Sequence, residues 1–234
     1  MFDRIRKALA RTAPAAPSGM PDTRPSPAAD APASQRAATR GLSFTADGAG
    51  GAALEGRVQG RPWRLERGKP TRDYVVGEEL RARAELALHE DVAAMVMNRA
   101  LKEALESKAF EQSTDQLQTT IDGNLPQEVR WLAMFDEFVW EGPPAAFWDR
   151  YAVVADRRET AVAWIDAALA QQLLDWPAPA PSPQAPFTLL LLRGRAYLRM
   201  EYRPANLPTL QHAALVFTSA CESALRAPVD VALE

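Results

Sequence analysis

Few residues in this chain have types and spacings that could do chemistry. Cys221 and His212 are the obvious nucleophile and base. On one helix, however, nine residues at about 100° each turn the two side chains to opposite faces, so neither can take the other's proton. That spacing makes Cys221 a small core residue, the usual place of a free cysteine. His89-Glu90-Asp91 carries metal-donor types, yet three consecutive residues converge on one ion in no regular element, and a surface turn is expected. With Cys221 the sole cysteine and only two histidines, neither an internal disulfide nor a Cys/His zinc cluster can be composed, and no metal or cofactor is expected. Carboxylates pair at Glu78/Glu79, at Asp136/Glu137 with Glu141, and at Asp156/Glu159. The last pair has the spacing of a capping box, and the others stand beside no second acid, base or glycine-rich turn that would define a reaction. Gly48, Gly50 and Gly51 match neither the dinucleotide fingerprint nor the Walker A spacing. No catalytic residue is assigned. The enzyme alternative requires a site assembled only in three dimensions, with Arg64, Arg67, Asp73 and Glu79 as its candidates.

The arginines carry more weight. Arg57, Arg61, Arg64, Arg67, Lys69 and Arg72 fall within sixteen residues, with Trp63 and Tyr74 interleaved. Such a run can hold a polyanion by charge pairing and stacking, or it can pair internally with Glu55, Glu66, Asp73 and the acidic strand from Glu79. Later, Arg195, Tyr197, Arg199, Glu201 and Arg203 alternate with Ala196, Leu198, Met200 and Tyr202, so on a strand the polar set shares one face. Beside Glu79 to Glu85 this face would be a lattice of Arg, Glu and Tyr, either ion-paired or docking a partner. The candidate partner or polyanion surface is therefore Arg64, Arg67, Arg72, Arg195, Tyr197 and Arg199.

These residues must be positioned by an α+β fold. Leu54 to Val58 and Trp63 to Arg67 read as a hairpin turning at Gly60-Arg-Pro. Leu80, Ala82, Ala84 and Leu86 alternate with Glu79, Arg81, Arg83 and Glu85, which predicts a strand with all four charges on one face. Val92 to Met97 is read as a strand leading into a helix over Leu101 to Lys108. Pro126-Gln-Glu opens a helix expected to run to about Phe138. Tyr151 to Ala155 is an apolar strand, after which Asp156 is placed as the cap of one helix from Arg157 to Asp175, with Val162, Ile165, Leu169 and Leu173 as its stripe and Trp164 alongside. Beyond the proline-rich residues 176–186, Phe187 to Leu192 reads as a central strand and Arg193-Gly194 as the turn into Arg195 to Tyr202. Asn206 caps a closing helix through Leu210, Ala214, Phe217, Cys221 and Leu225. The result is a mainly antiparallel sheet with helices packed on one face and a C-terminal β-α-β-β-α unit.

Upstream, residues 1–40 hold seven basic groups against three acidic ones, a net of +4 in a chain of net −3. Residues 12–40 are rich in Ala, Pro, Ser and Thr, the composition of a disordered linker, and residues 41–234 are expected to form a single domain. Met1 to Ala10 suits a short basic helix with Phe2, Ile5 and Leu9 along one side, an anchor for an anionic membrane or a partner's groove. No run approaches the ~18 apolar residues of a membrane span. The expected location is the cytoplasm, with peripheral contact at the inner membrane through residues 1–11.

Phe147-Trp-Asp-Arg-Tyr-Ala-Val-Val-Ala-Asp156, Ala168-Leu-Ala-Gln-Gln-Leu-Leu174 and Phe187-Thr-Leu-Leu-Leu-Leu-Arg-Gly-Arg-Ala-Tyr-Leu198 together resemble the C-terminal part of a proteobacterial family of conserved hypothetical proteins, a domain of unknown function. The resemblance covers about a third of the chain, implies a self-contained α+β unit and lends no catalytic residues. Members of that family carry two membrane-spanning segments before the domain, and this sequence shows none. The function expected is a non-catalytic binding or adaptor module on a tether, its partner another protein rather than a specific nucleic acid, since the net charge is acidic. The alternatives are the small enzyme and the peripheral membrane-surface protein.

Overall fold

A computed structural model of the chain describes residues 43–46, 52–115 and 127–227. The N-terminal anchor, with Phe2, Ile5 and Leu9, and the linker at residues 12–40 lie outside the described residues. Nine strands form one sheet: β1 (Ser43–Ala46), β2 (Ala52–Val58), β3 (Arg61–Gly68), β4 (Glu79–Glu85), β5 (Ala93–Asn98), β6 (Asp136–Glu137), β7 (Tyr151–Ala155), β8 (Phe187–Leu192) and β9 (Arg195–Glu201). Their spatial order is β1-β2-β3-β4-β9-β8-β5-β7-β6, and every pairing is antiparallel. Six helices occur among the described residues: α1 (Arg99–Asp115), α2 (Gln127–Met134), α3 (Ala145–Arg150), α4 (Arg158–Trp164), α5 (Ala167–Leu174) and α6 (Leu207–Arg226).

Alternation decides which side chains meet. Leu65, Leu80, Ala82, Ala84, Val96, Val153, Leu189, Leu191, Ala196 and Leu198 all point to one face, where Trp164, Ile165, Leu169, Leu173 and Phe217 from α4, α5 and α6 close the main core. Trp63 meets Phe217 edge-on at 6.1 Å. Large side chains as buried as Trp164, Phe217 and Leu65 each contribute about 1.5–3 kcal/mol by leaving water. Helices α4, α5 and α6 thus cover one face along the sheet. The opposite face is covered at one end as well, where Leu101 and Leu105 of α1 and Val129 and Trp131 of α2 pack on Met95, Met97, Val154 and Leu190.

Local chemistry sets the punctuation. The β2–β3 and β8–β9 hairpins turn through Gln59-Gly60 (φ 47° and 81°) and Arg193-Gly194 (φ 50° and 74°), the paired positive φ of the two-residue turns that match strand twist. Arg61 and Pro62 consequently belong to β3 and not to the turn. Asn206 caps α6 by accepting a hydrogen bond from Thr209 N at 2.8 Å, with Pro208 in the first turn.

Two expected helices are corrected. The segment after β7 is two helices, because Asp166 adopts an extended conformation and caps α5 by accepting from Leu169 N at 2.7 Å, which ends α4 at Trp164. Asp156 is no cap. Its backbone N–H donates to Ala93 O at 2.9 Å, and Arg157 takes the cap position without a side-chain bond. The kink also turns Val162 to solvent while Trp164 and Ile165 are buried. The other correction is α2, which ends at Met134 because Asp136–Glu137 leaves it to pair with β7 as an edge strand.

Candidate functional site

The strand order lines up one row of side chains across the second face: Val154, Met95, Leu190, Tyr197, Arg83, Arg64 and Glu55 are successive register partners. The row is apolar under α1 and α2 and charged where no described helix lies over it. A neighbouring row runs Met97, Thr188, Arg199, Arg81 and Glu66. The charged end is the floor of a broad open trough of about 1310 Å³, walled on one side by Gln127, Glu128 and Trp131 of α2. Eight arginines and four glutamates line it, and with the buried Glu79 that pairs with Arg199 the surplus is three positive charges.

At its inner end the ions are fixed. Glu79 and Glu128 are fully or almost fully buried. Arg199 bridges them, with Nε 2.6 Å from Glu79 Oε1 as an ion contact rather than an aligned hydrogen bond, and Nη1 donating to Glu128 Oε1 at 2.9 Å. Glu79 also accepts from Thr71 N at 2.7 Å, and Glu128 from Arg72 Nε at 3.1 Å. Buried carboxylates require such partners, since an unpaired charge there is strongly unfavourable. Burial first, and the Glu128 carboxylate second, push the neighbouring Tyr74 phenol far above its ordinary range. It stays protonated.

The middle and outer parts are solvated ion pairs. Arg64 holds Glu55 at 2.7 Å and Glu66 at 2.6 Å, and Arg81 is 3.8 Å from Glu66. Glu85 sits between Arg83, in a short contact, and Arg195 at 2.6 Å. These two arginines, Arg195 first, hold its carboxyl below the ordinary 4.5. Near the hairpin turns, Arg57 donates to Gly60 O at 2.8 Å, and among the described residues neither Arg57 nor Arg193 makes an ion pair.

Of the residues singled out in sequence, Arg64, Arg72, Arg195, Tyr197 and Arg199 meet on this trough. Arg67 does not: three residues from Arg64, it points to the other face, pairs with Glu78 at 2.8 Å and lies over the Tyr202 ring. Trp63 is buried on that same opposite face and presents nothing for stacking beside Arg64. Of the four residues of the enzyme alternative, Arg64 and Arg67 point to opposite faces, Asp73 is held by Lys108 at 2.7 Å and Glu79 is buried on Arg199. Cys221 is buried, its thiol pushed up to about 12 by desolvation, and His212 Nε2 meets Gln172 O at 2.8 Å. His89 and Asp91 lie 3.5 Å apart on an exposed turn. No cluster of three metal-donor residues occurs among the described residues, and no helix among them is long and apolar enough to cross a membrane.

Sequence reading missed Glu128, which lies 56 residues from Arg72 and 71 from Arg199; no local pattern marks such a partner. Arg81 and Arg83 were visible as the charged face of β4 but not as floor of the same site.

Comparison with family models, with curated proteins and with solved structures finds no match to this chain. The resemblance carried by residues 147–198 gains no support from them, and the trough must be understood from its own side chains.

Proposed function

We propose that the chain is a non-catalytic binding module whose open trough takes an acidic segment of a partner protein. The observation that carries this reading is the surplus of three positive charges on one concave face of a chain whose net charge is −3. A field of that sign steers acidic partners and is screened by salt. The lattice already suits carboxylates, because Glu55, Glu66 and Glu85 of its own strands are each held by arginine. Of the three aromatic side chains that line the trough among the described residues, Trp63 and Trp131 are buried and Tyr197 is half-exposed, a poor platform for the successive base stacking that single-stranded nucleic acid uses. A fluorescein-labelled peptide of alternating glutamate and leucine should raise its anisotropy with the full chain at low salt and lose binding as salt rises. Its lysine counterpart should not bind. Photo-crosslinks from the acidic peptide should map to β4, β9 and α2. Absence of binding, or crosslinks confined to other surfaces, would overturn the reading.

A further inference from the structure

The positive surplus of the trough is not spread evenly. At the inner end Arg199 and Arg72 are matched by the buried Glu79 and Glu128, and in the middle Arg64 and Arg81 face Glu55 and Glu66. At the hairpin end, Arg83, Arg195, Arg57 and Arg193 stand against the single carboxylate of Glu85 among the described residues. Register places these groups together: Glu85 is the cross-strand partner of Arg195, and Arg83 is the next residue of β4 on the same face. About half of each of the Arg83, Glu85 and Arg195 side chains is exposed, whereas Glu79 is wholly buried. Glu85 can therefore swing away at small cost, as exposed ion pairs do, and Glu79 cannot.

Resting on the binding reading above, we infer that Arg83 and Arg195, with Arg57 and Arg193 beyond them, form the carboxylate-docking end of the trough, and that Glu85 is its built-in competitor. An incoming aspartate or glutamate of the partner takes the place of the Glu85 carboxylate between Arg83 and Arg195. Glu85 then releases to solvent, and the partner's neighbouring apolar side chain meets Leu192 and Tyr197, the half-buried residues next to Arg195 on this face. The internal glutamate weakens every acidic ligand alike, so only a segment offering several carboxylates displaces it.

The test uses the full chain and the same glutamate-leucine peptide. Glu85→Gln should bind it about two- to fivefold tighter than wild type, the worth of one exposed charge pair. Glu159→Gln, which removes the same charge from the first turn of α4, should leave affinity unchanged. Combined with Arg83→Gln and Arg195→Gln, the Glu85→Gln gain should vanish and overall affinity should fall. Peptide binding with no gain in Glu85→Gln, a gain equal to that of Glu159→Gln, or a gain that persists without the two arginines would overturn the competitor role while leaving the binding module standing. Failure of wild type and Glu85→Gln alike to bind would overturn both.

Discussion

The two halves of the second sheet face are built from the same pleat and differ in almost everything else. Under α1 and α2, β5 and β8 present Met95, Met97 and Leu190, all buried. On β2, β3, β4 and β9 the corresponding positions are Glu55, Arg64, Arg83 and Tyr197. The boundary falls between β8 and β9, where Leu190 faces Tyr197 across one register step. The contrast teaches that a sheet face is committed by what covers it: apolar rows where helices exclude water, an arginine-glutamate lattice where they do not. Two charged groups drawn deep inside, Glu79 and Glu128, lie along the seam between the halves and share Arg199.

That seam should be the most sensitive point. Arg199→Met leaves two buried carboxylates short of their common cation and should lower unfolding stability by about 3–4 kcal/mol, read from denaturant titration. A loss below the noise of that titration would mean the seam is solvated and the boundary is not electrostatic. Next, the halves should respond unequally to truncation: Met95→Ala should cost about 2–3 kcal/mol through the cavity it opens, and Arg64→Ala less than about 0.5 kcal/mol because its pairs are exposed. Equal costs would erase the distinction. The smallest effect concerns pH. Arg195 and Arg83 lower the Glu85 carboxyl relative to its unfolded value of 4.5, so its pairing stabilises the folded chain above that pH and is lost as pH falls through the folded value. The Tm difference between wild type and Glu85→Gln should start to narrow below about pH 4.5 and close as pH falls through the lower folded value; a gap that widens toward acid would reverse the sign argued here.

Much of the architecture was legible because it is written in local periods. Alternation in Glu79 to Glu85 and Arg195 to Glu201 declared two half-solvated strands, and they are adjacent in the sheet. Asn206 with Pro208 announced α6, and the apolar run Phe187 to Leu192 announced a strand flanked by others on both sides. Where reading went astray, two local signals competed: Asp156 and Asp166 are both cap-forming residues, and Asp156 was already engaged by the strand backbone at Ala93. Arg67 lies close to Arg64 in sequence, but three residues apart on one strand put the two side chains on opposite faces.

By itself, then, the chain determined most of the longer strands, the capped closing helix, the Arg193-Gly194 turn and which charges share a strand face, since each depends on neighbours within a few residues. Only the tertiary structure decided that β4 and β9 lie side by side, that α2 brings Glu128 across to Arg72 and Arg199, and that α1 and α2 cover one half of the second face and leave the other open. The first two outcomes rest on contacts 56 to 122 residues apart, where burial and charge pairing act through space and no local pattern of residue types records the partner.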